Sequence, residues 1–391
     1  MKHYNFDEII NRRNTHCVKW DACADIFGTN DVIPLWVADM DFRTPDFIIE
    51  ALQKRLDHEI FGYHFHPESF YMAVQQWVWR RAQWKINPAD MTFSPGIVTA
   101  INFAVKALTT VGDKIMLNRP VYHPFMFAVN DHNRLLINNP LKETNGKYTI
   151  DFDDFEKKLS EGVKMYILCS PHNPVGRVWS YDELKHIGDL CVKYNTILVS
   201  DEIHSDLIMK PHRHTHIASI SPEISQQTLT FLSPSKTFNL SGFFTSVVHS
   251  ENSRIMDAFK QYANKMHIGS GNIFGDVALE AAYNQGDKWL DQLLDYIDGN
   301  CDFVVNFLKK HIPVIKTEKP EGTYLMWLDC RQLNMSPQQL DDFFIKKAGL
   351  ALTSGHIFGE EGTGFMRLNV AAPRSVIATA LQRLEEIMNS D

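Results

Sequence analysis

Short apolar, β-branched runs alternate with amphipathic stretches through the first two thirds of the chain. A helix N-cap pattern at Ser180, with acidic residues at Asp182 and Glu183, opens a helical periodicity that continues to about Tyr194. Strand followed by helix followed by strand is the order typical of an α/β fold with a mostly parallel sheet. The runs that predict strands are 114–118, 164–170, 196–203, 228–233 and 245–249.

The pattern changes in the last third of the chain. Strand-like segments occur at 322–329, 348–353 and 365–370, and a closing helix starts at Arg374. This order predicts a second, smaller α+β domain. Because no repeat, low-complexity tract or Gly/Ser linker separates the two parts, we expect the boundary to fall inside a continuous helix near 285–304.

Composition narrows the class of protein. The chain has 391 residues, 44% hydrophobic, which is enough for one large domain and a smaller one. Its net charge of -8, without a basic stripe, argues against nucleic acid as a partner. No apolar run approaches a membrane span, and the charged start lacks an apolar signal region. Six cysteines without a Cys-x-x-Cys spacing favour a reducing cytoplasm.

A lysine in a turn at a strand end is the first candidate for chemistry. Lys236 lies in the segment 233–239, directly after the strand candidate 228–233, where α/β sheets keep their sites. A lysine that forms an imine needs neighbours that lower its pKa, and the flanking serines could bind a phosphate. Alone, this spacing is weak and more typical of a solvated loop lysine.

Two polar side chains follow neighbouring strand candidates. Asp201 ends the apolar run 196–200, where a buried carboxylate is costly unless it has a cationic partner. A protonated pyridinium would be such a partner, whereas a helix N-cap is the ordinary alternative. The prolines and glycine of 170–176 fix a turn that aims the Asn173 amide, although such turns also occur without a function.

A helix start completes the candidate set. The segment 94–100 precedes an apolar helical stretch at 101–108, so backbone N–H groups there could hold a phosphate. Such starts are common, and this one carries little weight alone.

Together and in this order, these motifs resemble the class I/II aminotransferase superfamily of fold type I, over nearly the whole chain. More narrowly, the sequence resembles the MalY/PatB group of cystathionine β-lyases. The segments that carry this narrower resemblance are 36–42 (Trp-Val-Ala-Asp-Met-Asp-Phe), 61–63 (Phe-Gly-Tyr), 120–125 (Pro-Val-Tyr-His-Pro-Phe), 170–179 (Ser-Pro-His-Asn-Pro-Val-Gly-Arg-Val-Trp) and 201–206 (Asp-Glu-Ile-His-Ser-Asp).

The resemblance implies pyridoxal 5′-phosphate as the cofactor. Lys236 would then be the Schiff-base lysine and proton carrier, and Asp201 the partner of the pyridine nitrogen. Asn173 would donate to the ring 3′-oxygen, Tyr122 would stack on the ring, and His204 would hydrogen-bond near the ring oxygen. The positions that match the family's phosphate cup are Gly96, Ile97, Ser233 and Ser235.

The resemblance also implies a substrate clamp and a homodimer with shared active sites. Arg367 matches the arginine that grips the α-carboxylate of an amino acid, although a surface arginine in a strand would look the same in the sequence. Tyr63 matches a tyrosine that reaches the neighbouring subunit's phosphate. Phe244 departs from the superfamily, because many members carry a phosphate-binding arginine there. The segment 36–41, which includes Ala38, would form a wall of the substrate pocket together with Tyr122 and Trp327, and Tyr63 and Asn173 would contribute to substrate binding.

Three functions stay open at this point. The motifs favour β-elimination from cystathionine or a related cysteine S-conjugate, giving a thiol, pyruvate and ammonia. The same residues permit transamination, and a regulatory protein on this fold is a third hypothesis. The implied division is an N-terminal segment 1–47 that joins the small domain, a large cofactor domain 48–287 and a C-terminal small domain 288–391.

A histidine-rich segment at 211–216 invites the interpretation of a metal site. Its alternating histidines, His212, His214 and His216, have no acidic or cysteine neighbour in the sequence. Exposed polar loops show the same pattern often. We therefore expect no metal site there.

Overall fold

A seven-stranded sheet forms the centre of the computed structural model, which describes residues 2–389. The strand order is β2-β10-β9-β8-β7-β3-β4, and β10 alone runs antiparallel to its neighbours. The strands are β2 (Met91–Ser94), β3 (Lys114–Leu117), β4 (Leu135–Asn138), β7 (Val163–Cys169), β8 (Ile197–Asp201), β9 (Thr228–Leu232) and β10 (Ser246–His249). The predicted α/β fold with a mostly parallel sheet is confirmed.

All five predicted strands of this sheet exist, with ends that differ by one or two residues. β2 and β4 were not predicted from the sequence. β4 is a partly exposed edge strand, and its apolar run, Leu135 to Ile137, has only three residues. β10 runs antiparallel to β9, and the segment 233–245 that joins them contains the Lys236 turn and no α-helix of the kind that usually forms a parallel crossover.

Helices cover both faces of the central sheet. The predicted N-cap at Ser180 is a full capping box, in which Ser180 and Glu183 satisfy each other's backbone N–H groups. The helices are α1 (Val18–Asp21), α2 (Cys23–Phe27), α3 (Asp46–Leu56), α4 (Glu68–Ala82), α5 (Ile97–Leu108), α6 (Pro124–Asn130), α7 (Phe152–Ser160), α8 (Tyr181–Lys193), α9 (Pro222–Ser225), α10 (Ser253–Lys265), α11 (Ile273–Gln285), α12 (Asp287–His311), α13 (Pro337–Asp342) and α14 (Arg374–Met388).

The last third of the chain forms smaller sheets. An antiparallel sheet has the order β11-β14-β13, from β11 (Leu325–Asp329), β14 (Phe365–Asn369) and β13 (Thr353–Ser354). β1 (Ile33–Pro34) pairs in parallel with β12 (Leu350–Ala351), so the start of the chain joins the end. β5 (Lys142–Thr144) and β6 (Lys147–Thr149) form a separate two-stranded antiparallel hairpin. The division at 287/288 stays a prediction, and it would fall at the start of α12.

The apolar core is divided between the faces of the central sheet and the small sheets. One buried cluster packs α5 and α10 against the sheet, and another packs α7 and α8 against its other face. The largest cluster joins α4, α11 and α12 to β11 and β14. Among residues 2–389, no helix is both long and apolar enough to cross a membrane.

Candidate active site

Three neighbouring strands of the central sheet end level with one another. In the β-sheet register, Cys169 of β7 lies beside Asp201 of β8, and Asp201 lies beside Phe231 of β9. Since the carboxyl ends of parallel strands share one edge, the segments that follow them meet there. The Asn173 turn, Asp201 and the Lys236 loop are therefore brought to one place.

Lys236 lies in a turn with its amine directed toward the N-terminal part of the chain. Its Nζ donates a hydrogen bond of 2.7 Å to the carbonyl oxygen of Ala38. Burial lowers the pKa of Lys236 to about 8; Arg367 acts in the same direction, while Asp39 and Asp201 oppose it. A lower pKa increases the share of neutral amine near neutral pH, and the neutral amine is the nucleophile and the base.

Asp201 is a buried carboxylate with little compensation from the chain. The backbone N–H of Ile203 donates to its Oδ1 at 3.1 Å. Burial raises the pKa of Asp201 to about 7; Glu202 adds to this rise, while the Ile203 N–H and Lys236 oppose it. A carboxylate in such a position is stabilised by a cation that comes close to it.

Arg367 projects from β14 into the same region. Its guanidinium donates to Oδ1 of Asn173 at 3.0 Å, to the carbonyl oxygen of Trp36 at 3.0 Å and to the hydroxyl of Thr353 at 3.2 Å. Its Nε is buried and has no hydrogen-bond partner among the described residues. Burial lowers the pKa of Arg367 to about 10, so the group stays charged at neutral pH.

Tyr122 and His204 lie close enough to the charged side chains of the site to be affected by them. Burial raises the pKa of the Tyr122 hydroxyl; Arg367 opposes this rise, while Asp201 adds to it. Burial lowers the pKa of His204 to about 3, and the charges of Lys236 and Arg367 act in the same direction. His204 is thus a neutral imidazole, and its buried Nδ1 has no partner among residues 2–389.

The four positions matched to a phosphate cup lie at the same edge of the sheet. Gly96 has a φ of 91°, a backbone region that favours glycine, and α5 begins at Ile97 without a side-chain cap. The hydroxyls of Ser233 and Ser235 are 2.7 Å apart. Uncapped N–H groups and hydroxyls beside each other are the groups that bind phosphate oxygens.

Phe244 lies beside this group of residues. A Cβ added at Gly96 would approach the Phe244 ring to 3.9 Å. Phe244 is 66% exposed, and its φ of 51° is unusual for a bulky residue. The departure noted in the sequence thus puts an exposed aromatic ring next to the candidate phosphate site.

The segment 36–41 packs against the site through its backbone. The carbonyl of Ala38 accepts from Lys236 and from the hydroxyl of Tyr324, the latter at 2.9 Å. The side-chain amide of Asn369 donates to the carbonyls on both sides of Ala38. Sequence reasoning treated this segment only as a pocket wall and missed Tyr324 and Asn369, because a backbone contact leaves no residue signature.

Salt bridges connect the two aspartates of this segment to residues nearer the N-terminus. Lys19, which is fully buried, lies 2.6 Å from Asp41, and Arg12 bridges Asp41 at 2.6 Å and Asp39 at 2.7 Å. The two aspartates of the 36–42 motif therefore serve the packing of the N-terminal residues.

Tyr63 is not brought to the other candidate residues within this chain. It is fully exposed in the segment between α3 and α4, where Ile60, Phe61 and Phe65 are also largely exposed. A direct role for Tyr63 would therefore require a second copy of the chain.

The histidine segment 211–216 differs from the expectation of an exposed loop without an acidic partner. His214 and His216 are not on an exposed loop, since both side chains are only 4% exposed. Nor do they lack an acidic partner, because Glu202, which is fully buried, accepts hydrogen bonds from both. The fold brings together residues that the sequence separates by more than ten positions.

Comparisons with known proteins agree over the whole chain. The family profile "Aminotransferase class I and II" matches residues 30–384. Cystathionine beta-lyase PatB of Bacillus subtilis is 42% identical over 98% of this chain and 100% of its own length. Protein MalY of Escherichia coli is 31% identical, with 95% of each chain covered.

A solved structure extends this agreement to three dimensions. Cystalysin from Treponema denticola, described as containing a pyridoxal 5′-phosphate cofactor, is 39% identical and superimposes with a TM-score of 0.97 over 100% of both chains. The predicted fold type I architecture is therefore confirmed. The chain belongs to the class I and II aminotransferase family, and within it to the group that contains PatB and MalY.

Proposed function

We propose that this protein is a pyridoxal 5′-phosphate-dependent carbon–sulfur β-lyase that cleaves L-cystathionine or a related cysteine S-conjugate to a thiol, pyruvate and ammonia. The observation that carries the proposal is the group formed by half-buried Lys236 with buried Asp201 and Arg367, in a chain 42% identical to a cystathionine β-lyase. Each of these charges has a defined task in such a reaction.

The residues fit the cofactor. Among residues 2–389, no cation lies in hydrogen-bond contact with Asp201, and a protonated pyridine nitrogen would provide one. His204 and Asn173 would donate to, or accept from, the ring oxygen, and Tyr122 would cover a face of the ring. Gly96, Ile97, Ser233 and Ser235 would hold the phosphate. When bound, the cofactor supplies an electron sink for the bond broken at the α-carbon of the substrate.

Arg367 would bind the substrate carboxylate. Its guanidinium is already aimed by Asn173, Trp36 and Thr353, and its buried Nε has no partner among the described residues. A carboxylate in front of it would accept the charge-assisted bonds that the guanidinium can still donate. The substrate would be an α-amino acid held in one orientation.

Lys236 would move the proton. A neutral Nζ takes the proton from the α-carbon, and the thiolate then leaves the β-carbon. The lowered pKa supports this role, because a lysine with an ordinary pKa would be protonated almost completely at neutral pH. The hydrogen bonds from Lys236 and Tyr324 to the Ala38 carbonyl hold the amine beside the N-terminal segment.

A homodimer with shared active sites is part of the proposal. Tyr63 is fully exposed beside other exposed apolar side chains, and such patches are typical of interaction surfaces. In a dimer, Tyr63 would reach the phosphate of the neighbouring subunit. We also propose a cytoplasmic location, since all six cysteines are unpaired and five are buried.

The test uses purified holoenzyme with L-cystathionine and no keto acid. Pyruvate and free thiol should appear in equal amounts, and the Lys236→Ala variant should produce neither. Tyr181→Phe, at an exposed residue of α8, is the matched control and should retain activity. If product formation requires an α-keto acid and amino transfer then begins, the enzyme is an aminotransferase, as the family profile also permits.

A further inference from the structure

Three side chains with metal-binding atoms meet behind the end of β8. Glu202, His214 and His216 each offer one ligand atom, and the three atoms lie within 4.8 Å of one another. Glu202 is fully buried, and both histidine side chains are 4% exposed. Clusters of this kind on an exposed surface are common, whereas a buried one limits the ligands to a single arrangement.

The backbone explains why these atoms meet. His214 and His216 are two residues apart in an extended segment, with His216 at φ -67° and ψ 121°, so their side chains project to the same side. Glu202 follows Asp201, and consecutive residues of an extended chain project to opposite sides. The cluster thus lies on the opposite side of the strand end from the candidate active site.

The two oxygens of Glu202 have different environments. Oε1 accepts from the hydroxyl of Ser200 at 2.7 Å and from the backbone N–H of Ile217 at 3.4 Å. Oε2 faces both histidines, at 3.0 Å from Nε2 of His214 and in a short contact with Nδ1 of His216. One oxygen is therefore anchored while the other is directed at the point where a cation would be held, which is the usual order of outer and inner ligand shells.

The ring orientations are also fixed. The indole of Trp84 stacks on the imidazole of His216, with ring centroids 4.6 Å apart and an interplanar angle of 28°. The two imidazoles are nearly perpendicular, at 87°. Ligands that are already oriented lose little freedom when they bind an ion.

A cavity gives access to the cluster. It has a volume of about 600 Å³ between α4, the loop that follows β8 and α12, and both histidines line it. Its lining contains four carboxylates, Asp206, Asp291, Asp295 and Asp298, and three cationic side chains, Arg81, Lys210 and Arg213. Asp291, Asp295 and Asp298 pair with Arg81, Lys210 and Lys319, and the space leaves room for a water ligand.

We propose that Glu202, His214 and His216 bind a divalent first-row transition metal ion, with zinc as the best match, and that a water from the cavity takes the fourth position. Two imidazoles and one carboxylate are typical zinc ligands. Zinc–ligand distances of about 2.0–2.2 Å require an ion between atoms that now lie in direct contact, so the side chains would separate by rotating slightly. Binding would displace the protons that the histidines share with Glu202.

The experiment measures zinc binding to the holoenzyme after treatment with a chelator. Calorimetric titration with zinc sulfate should show one equivalent per chain. The His214→Gln variant keeps an amide N–H group near the position of Nε2, so the hydrogen bond to Glu202 and the fold should persist. Its zinc affinity should fall by more than the roughly 10- to 100-fold that loss of an outer-shell partner costs.

The control is His212→Ala, which removes an exposed histidine that lines the same cavity but is not in the cluster. It should bind zinc like the wild type. Cobalt(II) offers a second measurement, because a tetrahedral site gives it strong visible absorption that His214→Gln should lose. Absence of stoichiometric binding, or equal affinity in His214→Gln and wild type, would show that the cluster only shares protons and would overturn the proposal.

Discussion

Asp201 and Glu202 are consecutive buried carboxylates with opposite environments. Asp201 faces the candidate active site, accepts one backbone hydrogen bond and has a pKa raised to about 7, chiefly by burial. Burial would also raise the pKa of Glu202, but the charge of His216 and hydrogen bonds from His214 and His216 hold it far below its ordinary value. The chain itself compensates the charge of Glu202, whereas it leaves that of Asp201 for a ligand.

This difference indicates how a carboxylate that the ligand-free protein already compensates, whether or not it also binds a metal ion, can be distinguished from one that the protein leaves uncompensated. A carboxylate that the protein fully satisfies contributes to stability, and its loss should appear in unfolding. A carboxylate that the protein leaves unsatisfied costs stability in the free protein and should appear in binding or catalysis. Four predictions follow from this contrast, and variants at the two neighbouring positions should give opposite results.

The largest expected effect is on stability, for Glu202→Gln. Removing one member of a buried charged cluster should cost about 3–5 kcal/mol and lower the melting temperature of the cofactor-free protein. Thermal unfolding followed by circular dichroism measures it. Glu161→Gln, at an exposed position, is the control and should change stability by no more than about 0.5 kcal/mol. Equal melting of the two variants would mean that Glu202 is not stabilised as described.

Asp201→Asn should instead lose activity. Without the charge that pairs with the cofactor ring, kcat/KM for pyruvate release should fall by about 10²–10³-fold. The melting temperature of the cofactor-free variant should not fall, because the buried charge it removes was unsatisfied. A variant that melts well below wild type, with kcat/KM preserved, would reverse the assignment of the two carboxylates.

The pH dependence of stability should separate the two environments further. The folded pKa of Asp201 is above its unfolded value, so between about pH 4 and 7 the folded state retains a proton that the unfolded state releases. Stability of the cofactor-free wild type should therefore decline with rising pH relative to Asp201→Asn, by on the order of 3–4 kcal/mol. Melting curves of both proteins from pH 4.5 to 8 measure the difference. A constant difference across this range would contradict the raised pKa.

The smallest expected effect is the change in KM caused by Arg367→Lys. Arg367, like Asp201, faces the candidate active site. A lysine keeps the positive charge but cannot contact Asn173 and a substrate carboxylate with one planar group. KM should rise about tenfold, which corresponds to 1.4 kcal/mol. Initial rates at several cystathionine concentrations give KM, and Arg383→Lys on α14 is the matched control. An unchanged KM would remove Arg367 from the substrate site.

Sequence alone predicted the buried part of the fold well. Strands β3, β7, β8, β9 and β10 are apolar and rich in β-branched residues, so their pattern is local and visible. β2 was missed because two of its four residues are polar, whereas β4 was missed although Leu135 to Ile137 form a short apolar run at a partly exposed edge. The antiparallel direction of β10 depends on the path of the segment 233–245, which the strand pattern does not report.

The site residues were predictable where they lie directly after a predicted strand. Lys236, Asp201 and Asn173 follow predicted strands, and the fold brings them to one edge. Contacts between distant segments were not predictable in this way. Tyr324 reaches the Ala38 carbonyl from 286 positions away, and Glu202 meets His216 only because the chain turns back after β8. Their roles depend on tertiary geometry that no local pattern encodes.

The pairing of β1 with β12 has a consequence for the synthesis of the protein. Residues 33 and 34 pair with 350 and 351, and the carbonyls that follow β1 accept from Lys236, Tyr324 and Arg367. A chain made from its N-terminus therefore exposes this segment on the ribosome while more than 300 residues are added. This segment is the first part of the site that is translated. We expect it to be among the last parts that reach their final position.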